Sequence, residues 1–393
     1  MKKRKKVIVL ITCLMLIGGL LCGCNDGKIS NKENNSKANN QKKEQSDNQI
    51  CFSVLDGINA TIKDDGSVYV WGNDMAKSFS NTEALRDVVS ISVGTTHIAA
   101  ITKDGNLYMW GNNDYGQLGD GTTNQSLKPK KIMENVAYIN LGGVHSGAIT
   151  KSGELYMWGD NSYGQLGDGT KEECHTPKKI MNNVVQFSTF YRNTGAVTED
   201  GSLYTWGEGK FGELGNGTQS ESLKPTKIMD GVKKVSLGFL HGAAVMKSGE
   251  LYMWGDNEYG QIGDGTKVIS LSPKMVMKNI KEVNLGAKHS GAITEDGTIY
   301  MWGEPFDGEI GYGGHDNDET MSPIPIMQNT KFKEISLGNN YSGAVTEDGI
   351  IYMWGNNEDG ILGVDNYGNN NNDENSKKYY YAPAKLVDKV KNK

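Results

Sequence analysis

Short apolar stretches separated by glycine-bearing polar turns fill the chain from residue 51 to about 390. Residues 136–150, VAYINLGGVHSGAIT, give two alternating stretches broken at Gly142-Gly143. Alternation with a period of two sends successive side chains to opposite faces of a strand. Lys151-Ser152-Gly153 reads as a turn, and Glu154–Trp158 (ELYMW) as a third strand. Its Leu-Tyr-Met-Trp run lacks polar alternation, which predicts a strand covered on both faces. A polar loop, GDNSYGQLGDGT, then leads to Pro177 and a fourth stretch, KKIM at 178–181. Pro129, Pro177, Pro225 and Pro273 are expected to open their strands, where a missing N–H costs least. Four strands of about five residues joined by tight turns make one small antiparallel sheet.

The unit recurs. All seven tryptophans (71, 110, 158, 206, 254, 302 and 354) precede a glycine, at spacings of 39, 48, 48, 48, 48 and 52 residues. A fixed period of this size means a propeller or a solenoid. The expected fold is all-β, a seven-bladed β-propeller of four-stranded antiparallel blades over residues 50–393. The succession G-x-x-H, D/S-G, L-Y-x-W-G and G-Q-L-G-x-G-T resembles the repeat of the regulator of chromosome condensation family, whose members are seven-bladed propellers. Repeats two to five match closely, including GTTH (94–97), GGVH (142–145) and GFLH (238–241). The resemblance implies the fold and says little about function, since one architecture hosts many roles. None of the residues with which eukaryotic members exchange guanine nucleotide is matched. The secreted bacterial propellers that inhibit β-lactamases are similar in export, blade number and use of one loop face. Their repeats are shorter and lack G-Q-L-G-x-G-T, so binding an enzyme as an inhibitor stands as an alternative, as does a structural role in the cell envelope.

The N-terminus changes the picture. Lys2, Lys3, Arg4, Lys5 and Lys6 precede an apolar run, Val7–Leu21, of secretory length and short for a membrane span. Leu21-Cys22-Gly23-Cys24 resembles a bacterial lipobox, which implies a signal peptide over 1–23, cleavage before Cys24 and a diacylglyceryl group on that cysteine. Residues 24–49 are polar and read as a disordered tether with a reach of roughly 25–30 Å. The expectation is an exported, outward-facing, lipid-anchored monomer. Cleavage removes five of the 41 basic residues, leaving 36 against 47 acidic ones, a net charge of −11. A surface that acidic repels phosphate backbones and argues against a nucleic-acid partner. Cys51 and Cys174 are too few for a disulfide framework and are expected to stay unpaired.

Catalytic, metal-binding and cofactor motifs are not called for. The chain carries no P-loop, no H-E-x-x-H and no G-x-S-x-G elbow, and it reads as a binding protein rather than an enzyme. His97, His145, His241 and His289 fall in equivalent slots, with Asn193, Tyr341 and a residue near Ile58 in the other three. Equivalent slots lie around a ring, whereas zinc gathers its ligands within about 2.1 Å, so the histidines are expected to be structural. The Asp/Asn-rich loops, such as NNDYGQLGDGT at 112–122, lack the ligand alternation of a calcium loop.

Strand parity places the G-x-x-H turns and the long third-to-fourth loops on one face, and the D/S-G turns and blade links on the other. Three departures from the repeat share the first face: Phe190-Tyr191-Arg192-Asn193, the loop 304–325 with Phe306, and the loop 356–383 with Tyr379, Tyr380 and Tyr381. These eight residues are the candidate contacts for an extracellular protein or glycan, because variable loops on a rigid scaffold carry specificity and Tyr and Arg are favoured anchors. The chain enters its first strand from the opposite face, so the tether is expected to hold the decorated face away from the membrane.

Overall fold

A computed structural model describes residues 52–386, apart from 64, 81, 83–84, 314–319 and 365–377. The signal segment, Cys24, the tether and Cys51 lie outside the described residues. Seven sheets follow one another along the chain. In blade 3 the strands are Val136–Leu141, His145–Thr150, Leu155–Gly159 and Cys174–Met181, paired antiparallel in that order. Blades 2 and 4–7 repeat this plan over residues 88–133, 184–229, 232–277, 280–326 and 332–385. Blade 1 has three described strands, Phe52–Leu55, Ile58–Ile62 and Val68–Gly72. A one-turn helix, Asp74–Ser78, follows them, capped by Asn73, whose Oδ1 accepts the Ala76 N–H at 3.0 Å.

The prolines do not open their strands. Pro129, Pro177, Pro225 and Pro273 are each the fourth residue of an eight-residue outer strand. They are tolerated because that strand is the exposed edge of its blade and its pairing register shifts beside the proline. Lysines share the same edge, and both features discourage pairing with another chain.

The tryptophans of blades 2–7 are fully buried. Five of their indoles donate to a carbonyl in the preceding blade's long loop, as Trp158 does to Gln117 and Trp206 to Gln165, both at 2.9 Å. The loop glycines permit this closeness: at Gly119, with φ +75°, a Cβ would lie 2.7 Å from the Trp158 Nε1. Around the axis the first strands are laced by side chains at one repeated position. Ser92, Asn140, Ser188 and Asn284 each accept a backbone N–H of a neighbouring blade, from Leu141, Thr189, Leu237 and Leu337 respectively. These bonds satisfy donors on an edge that has no further strand.

Among the described residues the ring closes without a shared strand. Blade 7 is built wholly from residues 332–385, and blade 1 docks against it. The Gly57 N–H donates to the Tyr341 hydroxyl at 3.0 Å, Asn59 Nδ2 to the Ile361 carbonyl at 2.8 Å, and the Val54 N–H to Ser336 Oγ at 3.3 Å.

Candidate loop-face binding site

The G-x-x-H turns and long loops meet on one face, as strand parity predicts. Arg192, from a first-to-second turn, stands 4.2 Å over the ring of Tyr163, which belongs to the long loop of blade 3. Asn340 of the blade 7 turn donates to Asp307 of the blade 6 loop at 2.8 Å.

Beneath this face the slot histidines bond blade to blade. His97 Nε2 lies 2.9 Å from Ser146 Oγ, and Ser146 donates its own hydrogen to the Gln117 carbonyl at 2.8 Å. The imidazole therefore carries its proton on Nε2. His241 pairs with Ser290 and His289 with Ser342, each at 3.0 Å, while His145 faces Thr194 at 3.4 Å. Burial, first, lowers His97, His241 and His289 to about 3 and His145 to about 4, so all four are neutral rings. Ile58 occupies the slot in blade 1.

The long loops organise themselves around an asparagine. Asn161 Nδ2 reaches the carbonyls of Thr170 and Glu172 at 3.1 and 3.0 Å, and its Oδ1 accepts the Leu166 N–H at 3.0 Å. Asn113 and Asn257 repeat the pattern. The loop aspartates Asp120, Asp168 and Asp264 accept Lys130, Lys178 and Lys274 at 2.5–2.6 Å. An internal ammonium thus stands beside each of these three carboxylates.

The candidate ligand residues divide into three groups. Phe190 and Asn193 are buried, so they support their turn. Tyr191 is half-buried over the axial mouth: its hydroxyl accepts from Asn339 Nδ2 at 3.0 Å, and Asn339 also donates to Asp56 at 2.7 Å. Its ring packs edge-on against Phe239 at 4.7 Å, so the side chain joins blades 1, 4, 5 and 7. Arg192 is exposed and paired with Glu208 at 3.3 Å. The third group lies at blades 6 and 7. Phe306 is 43% exposed and meets the Tyr259 ring edge-on at 6.2 Å. Tyr379, Tyr380 and Tyr381 are half-buried and open the outer strand Tyr379–Lys385 instead of ending the loop. The blade 6 loop lies on that strand, where the Gly313 N–H donates to the Tyr381 carbonyl at 2.8 Å.

A wider arc emerges than those eight residues. Lys288 stands 4.3 Å over Tyr259 and pairs with Glu304 at 3.0 Å, repeating the Arg192–Tyr163–Glu208 arrangement two blades away. Tyr115 and Phe211 are exposed at the Tyr163 slot of their own blades. The aromatic that precedes the loop glycine in blades 2–5 (Tyr115, Tyr163, Phe211 and Tyr259) was the available signal. It belongs to the regular repeat, so a search for departures from the repeat passes over it.

Solved structures agree on the fold. Yeast RCC1 (Prp20), solved bound to Kap60, superposes with a TM-score of 0.70 at 21% identity, covering 93% of this chain and 91% of that one. Prp20p from Saccharomyces cerevisiae gives 0.67 at 23% identity, over 82% and 81%. Human WBSCR16 gives 0.66 at 22% identity, over 75% and 86%. By sequence, the X-linked retinitis pigmentosa GTPase regulators of dog and human are 49% identical over 39 residues, 10% of this chain and only 4% of theirs. The RCC1-like domain family model matches residues 76–391. With that span, four-fifths of its length, the chain belongs to the RCC1-like domain family.

Proposed function

We propose that this chain is an exported, lipid-anchored binding protein that presents its loop face to an extracellular protein ligand. The observation that carries the reading is the arc on blades 3–6, where Arg192 and Lys288 stack on the half-buried Tyr163 and Tyr259 beside the exposed Phe306. Aromatic rings with stacked cations offer large, rigid contact area at small entropic cost. Family members of the same fold that bind proteins, such as Prp20p with Gsp1p and histones, support a protein partner over a glycan. The acidic mature surface favours a partner with basic character.

The test is a pull-down from the extracellular milieu with residues 50–393, wild type against Arg192→Ala/Phe306→Ala. The variant should weaken capture by about 1–4 kcal/mol if these are anchors, and matching substitutions at Lys151 and Ser152 on the opposite face should do nearly nothing. The reverse ranking rejects the loop face. Anchoring is tested separately: Cys24→Ala should abolish lipid labelling, and continued fatty-acid incorporation would refute the lipid site.

A further inference from the structure

In blades 2, 3 and 5 a buried glutamine sits at the same place in the long loop and does two jobs. Gln117, Gln165 and Gln261 accept through Oε1 the N–H of Tyr115, Tyr163 and Tyr259, each at 2.9 Å. Through Nε2 they donate to Asn112, Asp160 and Asp256 at 2.7–2.8 Å. In blades 4 and 6 both members of this pair are glutamates: Glu208 with Glu213, and Glu304 with Glu309. Glu213 and Glu309 retain the first job, accepting the N–H of Phe211 and Asp307, both at 2.7 Å. The second job needs a donor, and a carboxylate has none. Both side chains are about 1% exposed, and Glu213 Oε1, at the place of the amide nitrogen, has no partner. Only a protonated carboxyl can act there as glutamine does.

The same two blades, among those described, add a cation above the pair: Arg192 on Glu208 and Lys288 on Glu304, each stacked on the preceding blade's tyrosine. We infer that Glu213 and Glu309 are two proton-binding positions that set the charge of the loop face. With the proton bound, each station is a neutral set of one cation, one carboxylate and one carboxyl. When the proton leaves, a second carboxylate appears beneath Arg192 or Lys288, and the face gains a negative charge at each station. The groups facing Glu213 are Glu208 from its own loop, with Arg192 above it, and Asp256 from blade 5. Those facing Glu309 are Glu304, with Lys288 above it, Asp307, and Tyr381 from blade 7. The carboxylates among these groups oppose ionisation. Burial, reinforced by these carboxylates, raises Glu213 to about 7 and Glu309 well above the ordinary carboxylate range.

The inference is independent of any ligand and is tested on the chain itself. A carboxyl with a raised folded value contributes stability that is complete below its unfolded value and is lost as pH rises through the folded one. For Glu213 that window runs from 4.5 to about 7. Chemical denaturation across pH 4–9 should show the wild type losing stability relative to Glu213→Gln/Glu309→Gln, the folding constant falling on the order of a hundredfold or more. The two should converge below the window. Parallel curves would overturn the inference. Should the variant fail to fold, carboxyl-carbon NMR of the wild type gives an independent readout. Glu213 and Glu309 are both expected to titrate above pH 6, and either of them titrating between 4 and 5 would overturn it. Installing the device in blade 3 by Gln165→Glu should add a further loss of stability at alkaline pH, and its absence would count equally against the assignment.

Discussion

Blades 3 and 4 share a plan and a core but hold their loop-face ends differently. Blade 3 uses Asn161 as a hub, Asp168 with Lys178, Asp160 with Gln165, and His145 against Thr194. Blade 4 has Gly209 for the hub and Asn216 with Thr226 for the ion pair. It has Glu208 with Glu213 for the polar couple, and its slot residue Asn193 faces Gly242 where the four slot histidines face Ser or Thr. The changes come in matched sets. Removing one partner of a buried hydrogen bond strands the other at a cost of about 1–3 kcal/mol, whereas removing both can be nearly neutral. Each set behaves as a single interaction lost or exchanged whole. Even the missing hub is filled: a Cβ on Gly209 would lie 2.2 Å from the Ser220 carbonyl oxygen, so the chain itself occupies the space.

The comparison can be broken most forcefully at the core, where the two blades should not differ. Trp158→Ala and Trp206→Ala should each cost about 3–5 kcal/mol in denaturant unfolding, because both indoles are fully buried and donate to equivalent carbonyls. Unequal costs would show that the cores are not equivalent.

At the next scale the blades should diverge. Asn161→Ala strands the Leu166 N–H and two loop carbonyls and should cost about 1–3 kcal/mol. Restoring the hub in blade 4 by Gly209→Asn should destabilise as well, because the space is taken. A stabilising Gly209→Asn would refute the steric account.

The matched-set reading is sharpest at the histidine slot. Ser146→Gly leaves the buried His97 Nε2–H without an acceptor and should cost about 1–3 kcal/mol. The double variant His97→Asn/Ser146→Gly, which copies blades 4 and 5, should cost less than the sum of the single changes. Additivity in that cycle would sink the reading.

Smaller again is the loop ion pair. Burial opposes ionisation of Asp168, but Lys178 and Thr170 outweigh it and hold the carboxyl at about 2. A lowered folded value contributes stability above the unfolded 3.8 that is lost as pH falls through about 2. Asp168→Asn should therefore flatten the acid limb of the stability profile, opposite in sign to Glu213 of blade 4. Least of all, Arg192→Ala should change fold stability by about 0–1 kcal/mol, since its ion pair is partly exposed.

Much of this was legible along the chain. The tryptophan period, the turn glycines and the strand alternation specify seven antiparallel blades, because each is a local rule repeated many times. Strand parity alone put the unusual turns and loops on one face. The proline misplacement has a physical cause: the outer strand continues across polar residues, since an edge needs no apolar alternation. The candidate site was read only in part. Arg192 and Phe306 are exposed as expected, but nothing local reveals that Phe190 and Asn193 turn inward, or that Tyr191 reaches Asn339, 148 residues away.

By itself, then, the sequence determined the repeat, the blade and the faces, for which near-neighbour sterics and period-two burial suffice. Only the tertiary structure decided which side chains meet across blades: the histidine with the next blade's hydroxyl, the arginine with the previous blade's tyrosine, blade 1 with blade 7. Those pairings depend on how the ring closes, and ring geometry brings together residues 29 or more positions apart that no local pattern links.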